Sequence, residues 1–186
     1  MKKALLLVSI LLVSVVSTAC INNFAVQELN SKAKIYLDEG NYQEAIERLK
    51  SSIDLDDSIF ETHYNLAVAY TQAEDYANAI EAYEDAINLD DSVADSYYSL
   101  AVAQGNLAVD LQSGSLRLDE NGKVVSPENL EEDYLPSDDV LEKIKDLREN
   151  ALDNFKTYLE KAPDASDAAQ VQEEINKLET LLEDND

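Results

Sequence analysis

Between residues 26 and 183 apolar side chains recur every three or four positions, the spacing that lines one face of an α-helix. Leu29, Ala33 and Tyr36 mark a first helix, and Tyr42, Ala45, Ile46, Leu49 and Ile53 a second. Glu39-Gly40-Asn41 supplies the turn between them, with Gly40 suited to a left-handed C-cap. The whole pattern then returns, displaced by 34 residues: Tyr42, Ala45, Ile46, Ile53 and Leu55 recur as Tyr76, Ala79, Ile80, Ile87 and Leu89. In the same register Tyr64, Leu66, Ala67 and Val68 recur as Tyr98, Leu100, Ala101 and Val102. A fixed period of this length predicts stacked helix pairs, each burying its apolar face against the next.

Within one period stand His63, Leu66-Ala67, Tyr70, Ala79, Tyr83 and Asp91. This arrangement resembles the tetratricopeptide repeat family, whose signature runs Trp, Leu-Gly, Tyr, Ala, Phe and Pro. His63 takes the place of the Trp and Asp91 that of the Pro. The resemblance implies an all-α, right-handed helical solenoid of about three repeats, closed by a C-terminal capping helix. Small Ala67, Ala79 and Ala86 would sit where paired helices approach closely. The repeats fall at about 26–59, 60–93 and 94–163, within a repeat domain of 26–186. First helices in this family line a concave groove that takes an extended peptide or a partner's helix. Carried onto this chain, the groove comprises Tyr64, Asn65, Val68 and Gln72, then Tyr98, Ser99 and Val102, with Asn30, Lys34 and Leu37 at its start. Tyr64 and Tyr98 fit a second reading equally well, as side chains packed between repeats. The family's carboxylate-clamp subtype holds acidic tails with groove lysines, and Lys34 is the one lysine available here.

The third repeat breaks the period. Its Ala, Phe and Pro signals arrive at Ala151, Phe155 and Pro163, after an insertion of 38 residues. Part of that length extends the flanking helices; the rest, about 112–137, is an excursion expected to be accessory to the core. Ser115 to Val125 predicts a small hairpin around Asn121-Gly122, and Ser126-Pro127-Glu128 one helical turn. Asp119-Glu120-Asn121-Gly122 does not fit an EF-hand, because Gly122 comes too early and Leu130 stands where the final Glu belongs. Ser137 then caps a long helix with the stripe Val140, Ile144, Leu147, Ala151, Phe155 and Tyr158. A last helix, about 166–183, carries Ala168, Val171, Ile175, Leu178 and Leu182 on one face and covers the end of the stack. Ser58…Glu61 and Ser92…Asp95 read as capping boxes, preceded by aspartate pairs that favour helix N-termini.

The N-terminus adds a destination. Lys2 and Lys3 precede an apolar run from Ala4 to Val16, too short for a membrane-spanning helix of about 20 residues but suited to a signal peptide, 1–19. Ser17-Thr18-Ala19 are small, and Cys20, the lone cysteine, follows at once. This resembles a bacterial lipoprotein signal, in which that cysteine becomes the acylated N-terminus; plain cleavage after Ala19 is the alternative. Residues 20–25 would be a tether, and the domain a lipid-anchored protein of the bacterial cell envelope, on the periplasmic face of the outer membrane in a double-membrane cell. A lone cysteine excludes an internal disulfide.

Charge narrows the partners. Loss of Lys2 and Lys3 with the leader takes the formal charge from −25 to −27, which disfavours nucleic acid. Ser51 to Leu116 holds 13 Asp and Glu with no Lys or Arg, and if it forms one surface across the groove it selects a basic or polar protein or peptide. His63, the single histidine, has no cysteine or second histidine with which to hold a metal and falls at a packing position. No Gly-rich phosphate loop is present, so the sequence predicts neither cofactor nor catalytic centre. It predicts a protein–protein adaptor or assembly factor, with a periplasmic, transporter-associated ligand-binding subunit as the alternative. If Cys20 is acylated, intact mass of the membrane-extracted chain shows diacylglycerol on that residue; an unmodified soluble chain beginning at Cys20 overturns the assignment.

Overall fold

The computed structural model describes residues 23–129 and 133–183. Seven helices and one small hairpin make up the described residues: α1 (23–38), α2 (Tyr42–Ile53), α3 (Phe60–Gln72), α4 (Tyr76–Leu89), α5 (Ala94–Ser113), β1 (Arg117–Leu118), β2 (Val124–Val125), α6 (Asp138–Lys161) and α7 (Ala168–Glu183). Each helix packs on its neighbours in sequence, which gives the expected all-α solenoid of helix pairs. The leader, Cys20 and the start of the tether lie outside the described residues. Residues 23–25, expected in the tether, are already helical.

Small side chains set the helix spacing. Ala45, Ala67, Ala69, Ala79, Ala86, Ala101, Ala103 and Ala151 are each 0% exposed. Where two axes meet at alanines the backbones approach closely, and larger residues on either side fill the flanking grooves. One continuous cluster of this kind, with Ile46, Leu49, Leu66, Tyr70 and Tyr83, joins the first two repeats. Phe155, Tyr158, Val171 and Ile175 build a second cluster, where α7 closes the stack.

The turn chemistry is only partly as expected. Gly40 is left-handed (φ 76°), and the N–H of Asn41 donates to the Tyr36 carbonyl at 2.8 Å. The same turn one repeat later puts Glu74 at φ 59°, a strained conformation for a residue with a Cβ. The capping boxes do not form. Ser58 and Ser92 donate from both N–H and Oγ to Asp56 and Asp90, at 2.6–3.0 Å, which closes the interhelical loops and holds both carboxyls below the usual carboxylate range. The helices therefore start later, at N-caps Ile59 and Val93 that have no side-chain cap bond.

The excursion is not detached. β1 and β2 pair antiparallel, Arg117 with Val125 and Leu118 with Val124. The Asp119 carboxylate, accepting from the Asn121 and Lys123 N–H groups, closes the loop between them. Residues 126–129 form no helical turn; the backbone bends at 128–129. Leu116, Leu118 and Val124 pack against the buried α5–α6 seam of Leu107, Leu111, Val140 and Ile144. Gly114 ends α5 in the left-handed region with the Tyr134 ring against its Cα, leaving no room for a Cβ. Arg117 stacks over the same ring at 4.6 Å.

Two turn variants check this account in thermal and urea melts. Glu74→Gly relieves the left-handed strain and raises stability by about 1 kcal/mol. Gly114→Ala combines that strain with a clash on Tyr134 and lowers stability by about 1–3 kcal/mol.

Candidate functional site

The first helices of the repeats, α1, α3 and α5, with α7 beyond them, present two separate concavities. The first, about 380 Å³, lies between α1 and α3 and is lined by Gln27, Asn30, Ile59, Glu61, Thr62 and Asn65 among others. Its floor is polar: Asn30 Nδ2, with two protons to give, lies within hydrogen-bond distance of the Val26 carbonyl at 3.0 Å, Ser52 Oγ at 2.9 Å and Thr62 Oγ1 at 3.1 Å. Ser52 and Thr62 are fully buried. The second, about 300 Å³, lies between α5 and α7 over α6, with Tyr98, Val102 and Asn106 on one side and Leu178 and Leu181 on the other.

The candidate groove residues divide between these places. Asn30 and Asn65 line the first concavity. Tyr98 and Val102 line the second. Tyr64 is a packing residue: its ring stacks on Phe60 at 5.8 Å and meets the Tyr83 edge at 5.7 Å, while its hydroxyl lies 3.4 Å from Ser99 Oγ. Val68 and Leu37 pack against the first core cluster. Tyr98 does both jobs, its ring also lying 5.7 Å from that of Phe155 and 5.3 Å from that of Tyr158. Lys34 and Gln72 are exposed and line neither concavity. His63 is buried, as its register predicts, with Nε2 2.9 Å from the Asp57 carbonyl.

The acidic run does not form one groove surface. Of its 13 acids, Glu61 alone lines a concavity just described. Glu74, Asp75, Glu81 and Glu84 instead face a cleft of about 690 Å³ between α4 and the hairpin, opposite Lys123 and Lys143. Burial, and then Glu81, raises the Glu84 pKa. Helix periodicity decides this split: α4 turns its alanines inward, so its carboxylates point away from the concave side.

Sequence reasoning missed the α7 wall and Arg148. The signal was present, since Arg148 follows Ile144 by four residues and precedes Ala151 by three, on the buried stripe of α6. Tyr158 fixes the α7 wall in place: its hydroxyl donates to Asp167 Oδ1 at 2.7 Å, just before α7 begins. That bond, with burial, pushes the Tyr158 pKa up to about 12.

Residues 30–98 match the family described as Tetratricopeptide repeat. No curated protein sequence matches the chain. Among solved structures, the second TPR domain of human RPAP3, determined with an HSP70 peptide, superposes with a TM-score of 0.59 at 18% identity, covering 85% of this chain and 98% of that one. The Arabidopsis OM64 TPR domain gives 0.60 at 13%, covering 84% and 98%. The TPR2B domain of yeast Sti1, in its pHsp70 complex, gives 0.57 at 16%, covering 85% and 98%. At these identities the likeness establishes the fold.

Because the folded pKa of Tyr158 is raised, its bond stabilises the chain fully below the ordinary tyrosine value near 10. That stability is lost as pH rises through about 12. A tyrosinate absorbance titration should therefore show a late-ionising step near pH 12 that is lost in Tyr158→Phe, while the raised Tyr83 and Tyr76 remain. The variant should be about 1–3 kcal/mol less stable at neutral pH, with loosened protection of α7 amides in hydrogen exchange.

Proposed function

From a chain that carries tetratricopeptide repeats over residues 30–98 on a helical-solenoid fold, we propose a protein–protein adaptor or assembly factor rather than an enzyme. It binds an extended partner segment along its concave face. One observation carries the proposal: helices α1, α3, α5 and α7 leave two open, partly apolar concavities, and repeat neighbours such as the human RPAP3 and yeast Sti1 domains are solved in complex with HSP70 partners. The α1–α3 concavity offers Gln27, Asn30, Asn65 and the Glu61 carboxylate, a set that suits amide-rich or basic stretches. We further propose that the domain is held at a bacterial envelope membrane through lipid on Cys20. The N-terminal sequence supports that anchoring: a short apolar run ending in small residues and a lone cysteine. One acyl chain anchors marginally and two or more hold stably, so diacylglycerol suffices.

Photo-crosslinking tests the adaptor reading. A photoreactive residue placed at Asn65 or Val102 should give one shared adduct in the native envelope, and one placed at Glu84, on the opposite cleft, none. Crosslinking from all three positions alike, or from Glu84 alone, overturns the concave-face assignment.

A further inference from the structure

Helix α1 is already formed at residue 23, three residues after Cys20. A chain extends by at most about 3.6 Å per residue, so α1 begins within about 11 Å of that cysteine whatever path the link takes. The polar layer on one side of a bilayer is about 5–8 Å deep. Lipid on Cys20 therefore holds the first turn of α1 in or just outside the headgroups. That turn carries Phe24, which is 69% exposed, while Val26, two positions on, is buried in the core. The Phe24 ring thus points away from the solenoid at the place the anchor keeps nearest to the membrane.

Charge singles out the same stretch. Residues 20–27 carry no charged side chain, in a chain with 39 Asp and Glu. Glu28, the first carboxylate, is paired with Lys32 at 2.7 Å. The rest of this edge is different. Helices alternate in direction, so α3 starts beside α1, and Asn23 and Ile59 line one concavity. Leu55, on the loop before α3, is also exposed, at 41%, but Asp54, Asp56 and Asp57 surround it in sequence. Asp90 and Asp91 follow Leu89 in the same way before α5. Immersing those carboxylates costs more than a leucine side chain contributes, which keeps these loops in water.

We propose that Phe24 is a second membrane anchor: its ring enters the boundary between headgroups and acyl chains beside the lipid on Cys20. The domain then stands on the bilayer at the α1 end of the edge where its first helices begin. This rests on the lipid-anchor reading and adds an orientation to it. The α1–α3 concavity opens beside the headgroups, so the partner segment that enters it runs along the membrane. The hairpin, which follows the other end of α5, faces away from the bilayer.

The lone cysteine and the absence of tryptophan give the test two handles. The mature chain, 20–186, is alkylated on Cys20 with a single tetradecyl chain and mixed with phosphatidylcholine vesicles. One such chain binds marginally and reversibly, so a second contribution is measurable. Phe24→Ser should lower the partition coefficient by about 10-fold, with the melting temperature unchanged because the side chain is exposed. Tryptophan introduced by Phe24→Trp should be quenched by lipids brominated on their acyl chains. Tryptophan introduced by Leu55→Trp, or by Leu135→Trp on the loop before α6 at the far edge, should not. A partition coefficient that Phe24→Ser changes by less than about 2-fold, no quenching at position 24, or equal quenching at 55 or 135 each overturns the inference. Because the alkyl chain is attached chemically, none of these outcomes depends on acylation in the cell. Intact mass of the native protein decides that reading separately.

Discussion

The structure depends on helices being able to approach one another closely. Ala67 and Ala79, fully buried in the same cluster, are the points at which the second repeat's pair closes. A larger residue at either would push the axes apart, and every later helix inherits that displacement because each pair stacks on the one before. Tyr70 and Tyr83 then fill the space that the alanines leave beside the contact. The concave side is the consequence of this packing, since its width is the spacing of the first helices.

Beside the apolar cluster that joins the first two repeats lies a polar contact. Asn30 Nδ2 reaches Ser52 Oγ and Thr62 Oγ1 there, while Asn30 Oδ1 is buried with no hydrogen-bond partner among the described residues. These directional contacts tie α1 to Ser52 of α2 and Thr62 of α3. They also leave amides at the mouth of the α1–α3 concavity, which gives that end of the face its chemistry.

At the other end the insertion changes the architecture. It lengthens α5 and α6 to 20 and 24 residues, against 12 to 14 for the three helices before them, and folds a hairpin over their far seam. The longer pair extends the floor beneath α7 and puts Arg148 there. The concave face is thus asymmetric, with amides and a carboxylate at α1–α3 and a buried cation at α5–α7.

The 34-residue period, the helical spacing within it and the alanines at the crossings were enough to specify the fold, because helices and their pairing are written in interactions three, four and 34 residues apart. Gly40 was legible for the same reason, as a local backbone requirement. Asn65, Tyr98 and Val102 were legible as members of the concave side because register places them there. The division of the acidic run was not, since it depends on how far each pair rotates relative to the last, a sum of many contacts with no single local signature. Ser58 and Ser92 illustrate the same limit at short range: a serine can bond forward to a helix or back to an aspartate, and packing of the loop decided for Asp56 and Asp90. Arg148 stood in the sequence as a charged residue on an apolar stripe, but only the arrival of α7, held by Tyr158 on Asp167, turned that position into the floor of a cleft.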